Sequence, residues 1–258
     1  MELQYLRVFW GCALNRLDLS SGLGYNTRRR MKIVSEKCRV VGSVPDWQTW
    51  CHMAACGEPE CDWMELRVDA LPMELSAEQV MEQRPTVPVL VTVRHQSEGG
   101  LREWGSESER LSMAQALMPM ATALDWEIAQ LPHAAELVHA AKSAGVTLIA
   151  SAHDFNKTPS LEFLLQQEAV ARAAGADIVK FAFHLHTAED MMVGVELLRR
   201  ACGPMAVMGM GPLGPVSRLL YAQHGSCLVY GYLGETPTAP GQWAAGMFRK
   251  ALNETPVL

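Results

Sequence analysis

Residues 145–182 read GVTLIASAHDFNKTPSLEFLLQQEAVARAAGADIVKFA. A short, β-rich apolar run at 146–151 is followed by helical periodicity over 161–174, then by Gly175 and a second apolar run at 177–182. Short apolar runs bounded by turn residues suit buried strands, and apolar recurrence at three- and four-residue spacing suits a helix. Gly145 and Gly175 each close a helical stretch, where the chain wants a residue that tolerates positive φ. Strand, helix, glycine and strand in that order make one parallel β/α unit.

The same pattern extends in both directions. Further strand-like runs fall near 39–44, 62–68, 88–94, 122–128, 205–209 and 227–231, of which 122–128 carries the weakest signal. Helical periodicity recurs at 107–119, 133–144 and 188–201, and Gly203 follows the last of these as Gly175 follows its own. Eight such units in a chain of 258 residues favour a closed barrel over an open sheet. The expected fold class is α/β: a single (β/α)8 TIM barrel over residues 37–258, with its active site at the C-terminal mouth of the strands. Residues 1–36 read as an N-terminal extension. Phe9-Trp10-Gly11-Cys12-Ala13-Leu14 is too short and poorly flanked for a signal peptide. Arg28-Arg29-Arg30 stands directly before Met31, which suggests Met31 as an alternative start, with a short docking arm as the other reading.

Composition narrows the function classes. The formal net charge of −6 argues against a nucleic-acid partner, which would call for a clustered basic face. No apolar run reaches the ~18 residues of a membrane span. The seven cysteines are odd in number and include no C-x-x-C pair, so reduced thiols in a cytoplasm are expected. Cys51, Cys56 and Cys61 fit no familiar zinc spacing and read as buried or partly buried structural thiols.

Polar residues gather at strand ends. Trp63-Met64-Glu65-Leu66-Arg67-Val68-Asp69 alternates, so Glu65, Arg67 and Asp69 are expected on one face, turned into the barrel near its mouth. A structural ion-pair layer is the alternative, because buried charges must pair or bind something. The third strand finishes at Arg94 and leads to Glu98-Gly99-Gly100. The fifth finishes Ser151-Ala152-His153-Asp154-Phe155, and the sixth Val179-Lys180-Phe181-Ala182. The seventh leads through Gly209-Met210-Gly211 to Ser217-Arg218. Catalytic groups of this fold collect at these ends.

Lys180 carries the most chemistry. A lysine among apolar neighbours is desolvated, which favours the free amine and its attack on a ketone or aldehyde to give a Schiff base. From spacing alone, a snorkelling lysine at a strand end fits equally well. His153 is the natural proton shuttle, with Glu98 able to orient it, although a lone histidine is more often a structural residue. Arg67, Arg94 and Arg218 bring positive charge to a mouth that suits a small anionic, hydroxylated substrate. Gly209-Met210-Gly211 offers a competing phosphate cradle, which would favour a sugar-phosphate aldolase. Thr238-Ala239-Pro240-Gly241-Gln242 suits either a substrate lid or an ordinary surface loop.

Together these motifs resemble the type I 3-dehydroquinate dehydratase family, in its order and approximate spacing, from about Arg39 to Gln242. The resemblance implies the following roles. Lys180 would form a Schiff base with the C3 ketone of 3-dehydroquinate, His153 would act as general acid and base, and Glu98 would be its partner carboxylate. Ser43, Glu65, Arg67 and Arg94 would bind the substrate, Arg218 would clamp its carboxylate, and Thr238 and Gln242 would contact it from the lid. The product would be 3-dehydroshikimate, formed by syn elimination on the shikimate route to chorismate and the aromatic amino acids. No cofactor and no metal is implied, since the lysine imine is itself the electron sink. A cytoplasmic homodimer is implied, with no nucleic-acid or membrane partner. Thr238 stands where serine is more usual, and the His184-x-His186 pair could in principle bind a metal, with solvated loop histidines as the plainer reading. Another Schiff-base barrel lyase and a non-catalytic barrel that binds a ligand are the alternatives.

Overall fold

A computed structural model describes residues 37–57, 59–235, 237 and 242–255. Among these, eight strands alternate with helices. They are β1 (Arg39–Ser43), β2 (Trp63–Arg67), β3 (Val89–Thr92), β4 (Ala123–Glu127), β5 (Thr147–Asp154), β6 (Ile178–His184), β7 (Met205–Met210) and β8 (Leu228–Tyr232). The α-helices are α1 (Trp47–Ala55), α2 (Ala77–Glu82), α3 (Glu107–Leu117), α4 (Ala135–Ser143), α5 (Leu161–Ala173), α6 (Ala188–Arg200), α7 (Gly214–Gln223) and α8 (Ala245–Glu254). All seven ladders are parallel, in the order β7-β6-β5-β4-β3-β2-β1-β8. The (β/α)8 barrel expected from the sequence is the fold. The expected N-terminal extension, Thr238 and most of the lid lie outside the described residues.

The seam between β7 and β8 is closed by other means than a regular ladder. The Cys227 N–H donates to the Met205 carbonyl at 2.8 Å. The buried Ser226 hydroxyl accepts from the Val207 N–H and donates to the Leu228 carbonyl. At the mouth, Arg218 donates to the carbonyls of Gly209 in β7 and Tyr230 in β8.

Helix starts follow local chemistry. Ser106, Ser160 and Thr187 cap α3, α5 and α6 by accepting a backbone N–H three residues on, and Thr187 with Asp190 completes a capping box. Gly145 (φ 70°) and Gly175 (φ 99°) take the left-handed conformation expected of them. Gly203 does not. Ala201 already leads the chain out of α6 with ψ 136°, and a Cβ on Gly203 would meet the Arg172 guanidinium at 3.2 Å. Of the three thiols expected to be buried or partly buried, one departs. Cys61 is buried and Cys51 half-buried, but Cys56 ends the helix and is exposed.

Two apolar layers flank the strands. Outward-facing Leu66, Val91, Leu124, Leu148, Val179, Val207 and Val229 pack on the helices through Trp50, Leu117, Leu137, Leu164, Leu197 and Phe248. Fully burying side chains of this size stabilises by roughly 1.5–3 kcal/mol each. Inside the barrel, Val41, Trp63, Leu90, Ala123, Ile149, Ile178, Ala206 and Leu228 form an apolar floor. Two residues further along several strands the inward side chains turn polar: Ser43, Glu65, Thr92, Asp125, Ser151 and Lys180. Side-chain alternation makes these the next inward layer, toward the C-terminal mouth. No helix of the described residues is long and apolar enough to cross a membrane.

Candidate active site

Lys180 enters the barrel from β6 and is 4% exposed. Its Nζ donates to Asp125 Oδ2 of β4 at 2.8 Å and lies 4.4 Å from the centroid of the Tyr230 ring. This corrects the expectation of an amine set among apolar neighbours. The strand neighbours Val179 and Phe181 point outward, whereas the amine itself meets a carboxylate and an aromatic face. The polarity of the barrel interior comes from other strands, which the residues adjacent to Lys180 in sequence do not reveal.

Asp125 is fully buried. Its Oδ1 accepts from Arg94 at 2.9 Å and from the Ser151 hydroxyl at 2.6 Å. Burial opposes its ionisation, but Arg94 first and then Lys180 outweigh burial and hold its carboxyl below the usual carboxylate range. Arg94 also donates to Glu127 at 2.8 Å, and Glu127 accepts from Arg110 of α3 at 2.7 Å. Arg110 is capped by the Trp126 ring, 3.6 Å from its guanidinium carbon. A buried ion-pair lattice thus runs from α3 to the lysine. Paired in this way, the charges escape most of the penalty of isolated burial.

His153 lies two residues beyond Ser151 on β5, and Ser151 is the register partner of Lys180. The imidazole and the amine therefore belong to adjacent strands at the same mouth. His153 Nδ1 is 2.8 Å from Glu98 Oε2, and the same oxygen accepts the His153 backbone N–H at 3.0 Å. Burial, then Arg94 and Lys180, push the imidazole well below its ordinary value, so it is neutral at neutral pH. Burial pushes the Glu98 carboxyl up to about 7, against the opposing pull of Arg94. Phe155 stacks beside the imidazole with ring centroids 6.3 Å apart. Gly99 holds φ 84°, a left-handed conformation that favours glycine, and a Cβ there would also push on the tip of the exposed Phe155 ring at 2.7 Å.

The remaining expected residues fall as follows. Glu65 accepts from the hydroxyls of Ser43 and Thr92. Arg67 forms two hydrogen bonds to Asp69, at 2.9 and 2.7 Å, and one to the Gly99 carbonyl. Asp69 does not continue the alternation of Glu65 and Arg67. Strand β2 stops at Arg67, and Asp69 sits in the 3-10 turn Val68–Ala70, where its carboxylate folds back on Arg67 and accepts the Leu101 N–H. Arg218 is 5% exposed, and among the described residues no carboxylate lies within ion-pair distance of it. Desolvation lowers it to about 10, with no counter-charge to offset the cost. Gln242 is buried, next to Trp243, whose carbonyl accepts the Tyr232 N–H at the top of β8.

The phosphate-cradle and metal readings gain no support from the fold. A Cβ on Gly209 would lie 2.2 Å from Leu185 and 2.4 Å from the Ser217 hydroxyl, so packing accounts for that glycine without a phosphate. His186 contacts the Asn156 carbonyl at 2.8 Å, and among the described residues no group of three or more His, Cys, Asp or Glu could hold a metal ion. Asp125 and Glu127 were missed by the sequence reading. Their spacing, Asp125-Trp126-Glu127, repeats that of Glu65-Leu66-Arg67, and the alternation argument applied to β4 would have found them.

Comparison with known proteins agrees with this geometry. The family profile described as type I 3-dehydroquinase matches residues 50–256. A 3-dehydroquinate dehydratase of Enterococcus faecalis is 32% identical over 208 residues, covering 75% of this chain and 81% of its own. Among solved structures, the 3-dehydroquinate dehydratase from Enterococcus faecalis superposes with a TM-score of 0.66 at 30% identity, covering 76% of this chain and 88% of that one. The 3-dehydroquinate dehydratase from Aquifex aeolicus VF5 gives 0.74 at 25% identity, covering 83% and 97%. With the profile spanning most of the barrel and relatives above 30% identity over three quarters of its length, the chain belongs to the type I 3-dehydroquinase family.

Proposed function

We propose that this chain dehydrates 3-dehydroquinate to 3-dehydroshikimate through a Schiff base on Lys180. The observation that carries the reading is the meeting, at one barrel mouth, of a buried lysine amine, a neutral imidazole on the next strand, and a buried arginine that has no carboxylate partner among the described residues.

As the free amine, Lys180 Nζ attacks the C3 ketone; the carbinolamine takes one proton from solvent as its hydroxyl leaves as water, giving a protonated imine, and hydrolysis at the end returns that proton. Asp125, 2.8 Å from Nζ, supplies the counter-charge for that cation. The iminium draws electrons from C2, and His153 Nε2 removes a C2 proton to give an enamine. The enamine expels the C1 hydroxyl, which takes a proton from the same imidazole and departs as water. One residue serving as base and then acid on one face produces a syn elimination. Water then hydrolyses the conjugated imine and frees Lys180, so the net change is loss of one water. Glu65, Arg67 and Arg94 bind the ring hydroxyls and Ser43 supports Glu65, while substrate contacts from Thr238 and Gln242 rest on the family resemblance alone. The cytoplasmic homodimer implied by the resemblance belongs to the same proposal. The test of the overall reaction is the appearance of the conjugated enone of the product when purified protein meets 3-dehydroquinate. No absorbance change at micromolar enzyme would refute it.

Ionised Glu98 accepts the Nδ1 proton of His153 and leaves Nε2 as a free base. Once protonated, the carboxyl donates to Nδ1, and the tautomer shifts so that Nε2 carries the hydrogen. The base is therefore present above pH ~7 and lost as pH falls through the Glu98 value of about 7. Glu98→Gln keeps an oxygen acceptor that does not titrate. We expect the acid limb of its kcat/KM profile to lie more than one pH unit lower than that of the wild type. An unmoved limb would remove Glu98 from this role.

Arg218→Lys shortens the clamp and loses the two-pronged donor. Truncating one partner of a buried charge pair costs about 2–5 kcal/mol. KM for 3-dehydroquinate is therefore expected to rise by at least ~30-fold, with kcat less affected. A thermal melt controls for the brace to Tyr230 and Gly209. An unchanged KM in a folded variant would argue against the carboxylate clamp.

A further inference from the structure

Tyr230 stands on β8 at the edge of the apolar floor and is 4% exposed. Its ring faces Lys180 Nζ at 4.4 Å. Its hydroxyl is buried and has no hydrogen-bond partner among the described residues. A phenylalanine would fill the same space without burying an orphan O–H, whose desolvation is uncompensated. Glu65 and Asp125, both in the polar layer of the barrel interior, act on the phenol electrostatically. Neither carboxylate needs it. Glu65 already accepts from Ser43 and Thr92, and Asp125 from Arg94, Ser151 and Lys180. Burial first, and then those two carboxylates, hold the phenol well above its ordinary value, so it stays protonated and can donate.

We propose that the Tyr230 hydroxyl is a substrate-binding donor, directed at an oxygen on the ring carbon beside the one that joins Lys180. The aromatic face holds the lysine nitrogen, and the hydroxyl at the edge of the same ring reads the neighbouring substituent. With Nζ 4.4 Å from the ring centroid, a hydroxyl on the carbon next to the one bonded to Nζ can reach the edge of that ring. The inference rests on the Schiff-base reading above and adds a specificity residue to it.

The test is Tyr230→Phe in the full chain, read by steady-state kinetics with 3-dehydroquinate and by thermal melting. One neutral hydrogen bond to a ligand corresponds to about a tenfold change in affinity. KM is expected to rise about tenfold, with kcat within threefold of wild type. Tm is expected to hold or rise, because an unpaired buried hydroxyl has been removed. An unmoved KM would overturn the proposal. So would a fall in Tm, which would assign the hydroxyl to a partner within the fold. Wild-type protein with no turnover would defeat the underlying Schiff-base reading instead. Wild-type turnover together with an unmoved Tyr230→Phe KM would defeat this inference alone.

Discussion

Lys180→Ala is expected to lower kcat for 3-dehydroquinate by roughly 10⁴-fold or more, about 5.5 kcal/mol of barrier, in a protein that remains folded. The loss is large because the lysine is a covalent participant. Without the iminium, the C2 proton is removed against an ordinary ketone, and Arg218 and His153 can only position the substrate. The fold is expected to persist because Asp125 keeps Arg94 at 2.9 Å and Ser151 at 2.6 Å when the amine is gone. Breaking one arm of a buried ion pair still carries a cost, of up to about 3–5 kcal/mol where nothing else compensates, so a lowered Tm is expected alongside intact secondary structure. Turnover and circular dichroism measured on one preparation check both parts. Activity within tenfold of the wild type would remove Lys180 from the chemistry.

His153→Ala is expected to cost roughly 10²–10⁴-fold in kcat, the range of a positioned general acid or base, while leaving the covalent step detectable. The two effects separate because Lys180 and His153 occupy different strands and hold different partners. Lys180 keeps Asp125, and the vacated space lies between Glu98 and Phe155. The variant should therefore accumulate an imine that it cannot process, visible as a slow adduct by mass spectrometry. Near-normal turnover would assign the imidazole a structural role. Loss of the adduct together with turnover would mean that His153 acts before the imine forms.

The barrel was legible because its local signals agree with one another. The stretch from Gly145 to Ala182 carries strand, cap, helix and glycine in sequence, and the strands observed there begin within a residue of the runs read from apolar periodicity. Even the weakest run, over β4, proved to be a strand. Alternation identified Glu65 and Arg67 as inward-facing but failed at Asp69, because a 3-10 turn replaces the strand immediately after Arg67. The environment of Lys180 was misread for a related reason. Its sequence neighbours face the helices, and its actual partners, Asp125 and Tyr230, arrive from β4 and β8. Long-range pairing of this kind follows from barrel closure, which no local window contains. The unmatched charge of Arg218 is equally invisible in sequence, since it depends on which carboxylates the fold keeps away.

The central claim is a covalent bond between Lys180 and the substrate. The protein should be incubated with 3-dehydroquinate, reduced with borohydride, digested and analysed by mass spectrometry. The account predicts irreversible inactivation and a single reduced adduct on the peptide bearing Lys180, absent when either reagent is omitted. Full recovery of activity after reduction, or an adduct confined to surface lysines such as Lys142, would contradict it.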